Sequence, residues 1–115
     1  MDIQKMFFSF DGRLNRKPFI LGNLALWVIS SIFGFIMNGS DSTLISILGF
    51  VVGLALIAGS ISLIVKRLHD LDKNGLFALI LLVPIVNFFF ELYLLFVKGT
   101  DGSNKFGEDP LQQAY

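Results

Sequence analysis

Three long apolar stretches, Pro18–Met37, Leu44–Val65 and Leu76–Val97, hold almost none of the chain's charge. Each is close to the roughly 20 residues that an α-helix needs to cross a bilayer core of about 30 Å. Of nine Lys/Arg and nine Asp/Glu, only Glu91 falls inside a stretch. A soluble core does not sort its charges in this way, because its helices carry polar residues on their outer faces. The partition predicts an all-α membrane protein, with three transmembrane helices over 18–37, 44–65 and 76–97. A polar tail follows at 98–115.

Composition agrees. Hydrophobic residues make up 54% and charged residues 16%, against about 45–50% and about 25% in soluble domains. The remainder is too small for a separate soluble core, so residues 1–115 read as one membrane domain. Without cysteine there is no thiolate ligand or cysteine nucleophile, and a single His69 makes a zinc site a poor expectation. Zero net charge argues against a nucleic-acid partner. No serine within the spans has a histidine at its depth, and no glycine-rich segment has the setting of a phosphate loop. No catalytic residue, cofactor or metal is therefore expected, and the chain reads as a non-enzyme. Seventeen mixed residues precede the first span. With no small-residue cleavage pattern after it, that span is expected to be retained rather than removed as a signal.

Local chemistry divides the rest. The segment 1–10, with Phe7, Phe8 and Phe10 beside Asp2 and Lys5, suits a short interfacial N-terminal helix. Asp11-Gly12 is turn chemistry. Asn15 is placed to cap the first span, and Pro18 suits its first turn. The turn-forming loop 38–43 predicts a tight hairpin between spans one and two. Span two carries Ser46, Gly49, Gly53 and Ser60 on one stripe and Ala55, Gly59 and Ser62 on another. Small residues let membrane helices approach closely, so this helix is expected to be central. Pro84 is expected to kink span three. Trp27 is too deep for an interfacial belt and is expected to pack.

Lys5, Arg13, Arg16 and Lys17 precede span one, and Lys66, Arg67 and Lys73 fill the second loop. The positive-inside rule then puts the N-terminus and that loop in the cytoplasm and the tail outside. If Pro84 instead marks a re-entrant hairpin, the tail returns to the cytoplasm.

Two groups of polar residues are candidate sites. Gly12, Arg13, Arg16, Lys17, Lys66, Arg67, His69 and Asp70 lie outside the spans. Their basic charge can orient the helices only, or can also attract anionic lipid headgroups at about 1 kcal/mol per residue. Asp70 is expected to pair with Arg13 or Arg16, tying span one to the end of span two. His69 beside Asp70 and Asp72 is a weak metal or pH-sensing motif. Within span three, Asn87 and Glu91 share a face with Pro84. An intramembrane acid marks either an ion pathway or a side chain that snorkels or pairs with Lys98. Gly49, Gly53, Gly59 and Pro84 are the candidate packing positions.

Three motifs carry a resemblance. Phe10-x-Gly12-Arg13-x-Asn15-Arg16-x-x-Phe19, then Lys66-Arg67-Leu68-His69-Asp70, then Gly99-Thr100-x-Gly102-x-Asn104-x-Phe106-Gly107-x-Asp109-Pro110 resemble, in order, the signatures of the DUF805 family. That resemblance implies a small multi-pass protein of the bacterial inner membrane and brings no established activity. The function expected is an oligomeric scaffold or accessory subunit. Its basic cytoplasmic face would engage anionic lipid or a membrane-protein partner. The alternative is a small transporter or channel subunit using Glu91 and Asn87.

Overall fold

A computed structural model describes residues 3–109. Residues 1–2 and 110–115 and the Ile3 and Lys5 side chains, with the expectations that fall on Asp2, Lys5 and Pro110, lie outside the described residues. The described chain is helical: α1 (Ile3–Phe8), α2 (Arg16–Asn38), α3 (Thr43–Asp70), a 3-10 helix (Gly75–Leu82) and α4 (Val86–Phe96).

Two helices are long and apolar enough to cross a bilayer. α2 has 23 residues and α3 has 28, or about 35 and 42 Å at 1.5 Å per residue. They form the expected antiparallel hairpin through a short loop, in which the Ser42 hydroxyl accepts from Ile45 N–H to start α3. α3 ends where Asp72 (φ +60) takes the left-handed position and Lys73 N–H donates to the Leu68 carbonyl at 2.8 Å.

The expected third spanning helix over 76–97 is not formed. Its place is taken by an 8-residue 3-10 helix and an 11-residue α-helix, each about 16 Å long. Pro84 lacks the N–H that would continue the ladder. Ile85 then adopts φ +70, ψ −53, and Val86 N–H closes back onto the Pro84 carbonyl at 2.7 Å. This is a γ-turn of the rare positive-φ kind, a break rather than a kink. The Asn87 amide braces it by donating to the Leu81 carbonyl at 3.2 Å. This hairpin begins and ends beside the C-terminal end of α3. Gly75 lies so close to Val65 that a Cβ there would meet its Cγ1 at 3.1 Å, while the Val97 carbonyl accepts from Arg67. The tail, expected on the far side of the bilayer from Lys66–Asp70, packs against those residues, which were expected in a loop and instead form the end of α3.

Buried apolar side chains among the described residues gather at this end: Leu14, Phe19, Leu26, Leu63, Ile64, Leu68 and Leu94. No residue from 27 to 58 is buried. Phe35 is 85% and Leu82 78% exposed, which a lipid surround accommodates and water does not. Trp27, expected to pack, is also exposed, because α1 and α4 reach only the other end of the hairpin. α1 lies across α2 and α3. Met6 occupies the space where a Cβ on Gly22 would stand, and Phe7 and Leu26 face Gly59. The Ser62 hydroxyl donates to the Ser9 carbonyl at 2.6 Å, fixing the end of α1.

α3 is central, as it touches α1, α2, the 3-10 helix and α4. Its small residues differ in use. Gly59 is buried, Gly49 faces Met37, and Gly53 has nothing within 4 Å. Gly59→Leu is therefore expected to lower stability by about 1–3 kcal/mol through overpacking. Gly53→Leu should leave the thermal midpoint in detergent unchanged. A comparable loss at Gly53 would show that a second chain covers that face.

Candidate functional site

The last turn of α3 brings Lys66, Arg67 and Asp70 to the buried end of the molecule. Asp70 is an anion at a helix C-terminus, where the macrodipole disfavours negative charge. Its environment offsets this. One carboxylate oxygen accepts from Arg13 Nε at 3.1 Å and lies 3.1 Å from Arg13 Nη2, and the other accepts from Arg67 Nη1 at 2.6 Å. All three side chains are buried. Arg16, the alternative partner considered for Asp70, instead donates to the Phe96 carbonyl at 3.2 Å.

Each guanidinium uses its remaining donors on backbone carbonyls. Arg13 donates to Thr100 and Gly102 at 2.6 Å each, and to Gly107 at 3.2 Å. Arg67 donates to Leu94 at 2.7 Å, to Leu14 at 3.3 Å and to Val97. Arg67 and Arg16 thus satisfy the last carbonyls of α4, where helix geometry leaves them without partners. A planar fork with five donors performs this task, and a lysine would not. Lys66 donates to the Met6 carbonyl at 2.5 Å, while its own carbonyl accepts from Leu14 N–H at 3.0 Å.

The tail is folded onto this cluster. Thr100 N–H donates to the Asp70 carbonyl at 2.7 Å. Gly99 sits so close that a Cβ there would lie 2.9 Å from that same carbonyl oxygen and closer still to the carboxylate. The Asn104 amide donates to the His69 carbonyl at 2.9 Å, and Phe106 stacks on the His69 ring at 4.0 Å between centroids. His69 Nδ1 lies 2.9 Å from the Gly12 carbonyl. A carbonyl cannot donate, so Nδ1 carries the proton. Gly12 has φ +93, a conformation that costs a side-chain-bearing residue energy. The Asp109 carboxylate accepts from Gly102 N–H at 3.0 Å and closes the tail's own turn.

Gly12, Arg13, Lys66, Arg67, His69 and Asp70 therefore form one cluster. Arg16 and Lys17 stand at its rim, exposed. They line two adjoining cavities. One, of about 190 Å³, is shared with the polar and charged residues Asn15, Asp70, Lys98, Thr100 and Asp109. The other, of about 410 Å³, is an apolar groove formed with Ile20, Leu21, Leu95 and Phe96. Asn15 does not cap α2 as expected, because Pro18 removes one of the two N–H groups an N-cap side chain reaches. Its buried carboxamide oxygen has no hydrogen-bond partner among the described residues.

Glu91 and Asn87 lie apart from the cluster. Glu91 is half-buried. Lys98, considered as its partner, pairs with Asp101 at 2.9 Å. Among the described residues no group of three His, Cys, Asp or Glu is placed to hold a metal. Sequence reasoning missed Arg67's hold on Asp70 and the tail's part in the site. The signal available was the run of turn glycines at 99, 102 and 107.

The cluster makes a sharp prediction. Asp70→Asn leaves two guanidiniums without their counterion, and Arg13→Gln frees the tail. Each is expected to lower stability by about 3–5 kcal/mol. Each should also accelerate tryptic cleavage after Lys105 by about tenfold or more, through local opening of the tail. Arg13→Lys, which keeps the charge and loses the fork, should fall between Arg13→Gln and the unsubstituted protein. Unchanged cleavage in all three would mean that the cluster does not hold the tail.

Comparison with known sequences follows the same regions. The sequence profile of the family described as "Protein of unknown function (DUF805)" matches residues 7–108. The chain is 32% identical over 113 residues to inner membrane protein YhaI of Escherichia coli K12, covering 96% of this chain and 92% of that one. It is 31% identical over 117 residues to inner membrane protein YhaH of the same organism, covering 96% and 93%. No solved structure matches the chain.

Proposed function

The chain belongs to the DUF805 family, and on that footing we propose a non-enzymatic scaffold or accessory subunit of the bacterial inner membrane. Its basic end faces the cytoplasm and engages anionic lipid or a protein partner. α2 and α3 cross the bilayer, and the hairpin of the 3-10 helix and α4 enters and leaves on the cytoplasmic side. One observation carries this reading. Arg13, Asp70 and the tail residues Thr100, Gly102 and Gly107 are joined by direct hydrogen bonds, so the three motif regions share one end. The limbs of the hairpin, at about 16 Å each, are too short to cross singly. The positive-inside rule assigns that end to the cytoplasm, since Arg13, Arg16, Lys17, Lys66, Arg67 and Lys73 are gathered there. The loop 39–42 at the opposite end of the α2–α3 hairpin has no Lys or Arg.

The alternative, flux through Glu91 and Asn87, has less support. The Asn87 amide is committed to bracing the hairpin tip, a structural task that needs no pathway.

Reporter fusions to the C-terminus test the topology. A fluorescent protein fused there should fluoresce, and alkaline phosphatase fused there should be inactive. An active phosphatase would overturn the re-entrant reading. Liposomes holding the purified protein should show no ion flux that Glu91→Gln abolishes; such a flux would restore the transport reading.

A further inference from the structure

The first turn of α2 stands between two cavities, one lined by charged and polar residues and one otherwise by apolar ones, and both are lined by Arg16 and Lys17. The polar one is backed by Lys98 and Thr100. Of its two acids, Asp70 is neutralised by Arg13 and Arg67, and Asp109, which accepts from Gly102 N–H, sets one negative charge against the three positive ones of Arg16, Lys17 and Lys98. Lys98 is held by Asp101 only in an exposed pair, and such a pair is worth little. The wall left to a ligand is therefore positive, and the start of a helix adds N–H groups suited to an anion.

The second cavity runs from the same two residues to Ile20 and Leu21 on α2 and to Leu95 and Phe96 on α4. It leads from the polar start of α2 toward its apolar span. A soluble anion would fill only the polar part. An apolar occupant would leave three cations unanswered. An amphipathic molecule with a phosphate at one end fits both, and the combined space is in the range of about 300–1,000 Å³ usual for ligand sites.

Asn15 narrows the headgroup. Its side-chain oxygen is buried and unpartnered, with the residue only 6% exposed. Such an acceptor is costly unless a donor reaches it. A phosphodiester has no hydrogen to donate, so the donor comes from the headgroup beyond it. A glycerol headgroup supplies hydroxyls while keeping the lipid anionic.

We propose that Arg16, Lys17 and Lys98 hold the phosphodiester of a phosphatidylglycerol-type lipid, that Asn15 accepts from its headgroup hydroxyl, and that one acyl chain lies in the groove between α2 and α4. This rests on the reading that the basic end lies at a headgroup layer, and gives that face its ligand.

The test is native mass spectrometry of the delipidated protein, titrated in detergent with phosphatidylglycerol, phosphatidylethanolamine or inorganic phosphate. The expected result is one tightly retained phosphatidylglycerol, with phosphatidylethanolamine weaker by about tenfold. Lys17→Gln combined with Lys98→Gln should lower retention by about tenfold or more. Lys105→Gln, away from both cavities, should not change it. Asn15→Leu should narrow the preference between the two lipids. Arg16→Gln also removes the bond to Phe96, so its folding is checked by protection of the tail from trypsin. Equal retention of the two lipids, or retention indifferent to Lys17 and Lys98, overturns the proposal. Thermal stabilisation by inorganic phosphate equal to that by phosphatidylglycerol also overturns it, in favour of a free-anion site. The C-terminal reporter separates the two readings. A periplasmic tail with phosphatidylglycerol still retained defeats the cytoplasmic placement and upholds the lipid site. A cytoplasmic tail with no lipid preference defeats the lipid site alone.

Discussion

The carboxylate of Asp70 lies between two guanidiniums in a place that water scarcely reaches. Everything at that end of the molecule is arranged by this contact. Burying three charges costs several kcal/mol per ion before any interaction is counted. The arrangement is stable only because every guanidinium nitrogen of Arg13 and Arg67 donates to the carboxylate or to a carbonyl. Those carbonyls belong to Leu14, to the end of α4 and to the tail, and the tail has little apolar drive of its own to fold against α3. The electrostatic centre thus supplies what hydrophobic burial cannot in a protein whose apolar surface faces lipid, where helices gain nothing by hiding apolar groups from one another.

The same contact explains why the third apolar segment is a hairpin. Arg67 holds Leu94 and Val97, and Arg16 holds Phe96, so α4 must end beside α3's last turn. Gly75 begins the segment at the same place. A segment with both ends pinned at one level cannot be a straight crossing helix. Pro84 and the positive φ of Ile85 are where the reversal is made. A β-branched residue held there stores about 1–3 kcal/mol of strain, which the fixed ends of the segment sustain.

Two spans were legible because their apolar runs are long and uninterrupted, and DUF805 membership was legible from motifs spread along the chain. The hairpin was legible only as the alternative to a third crossing helix, because the two require the same apolar composition; Pro84 marks a break without giving its angle. Charge chemistry narrowed Asp70's partners to Arg13 and Arg16, but Arg67 at i−3 looked like one more basic loop residue. The acceptors that complete the site are backbone carbonyls of Thr100, Gly102 and Gly107, and a carbonyl has no signature in a sequence. The glycines beside them do. Gly99 is there because Asp70 leaves no room for a Cβ, and Gly102 and Gly107 because φ is +73 and +138.

A clasp and a ligand site have opposite requirements, and the residues of the clasp and of the proposed lipid site diverge where the chain enters α2 at Arg16. Arg13, Arg67 and Asp70 satisfy one another and leave little capacity for anything else. Arg16 and Lys17 belong to the same basic cluster in sequence but stand outside it, exposed, with Asn15 unsatisfied beside them. If the basic residues served only to orient the helices, they would all be free to remain solvated at the surface, and no buried acceptor would be left without a donor. The division into saturated and unsaturated groups is what a rigid frame and a binding edge require of adjacent residues. The frame's rigidity in turn fixes Lys98, which follows Val97 in the chain, opposite Arg16 and Lys17. A tail that came loose from Arg13 would therefore weaken the ligand site without touching any residue that lines the groove.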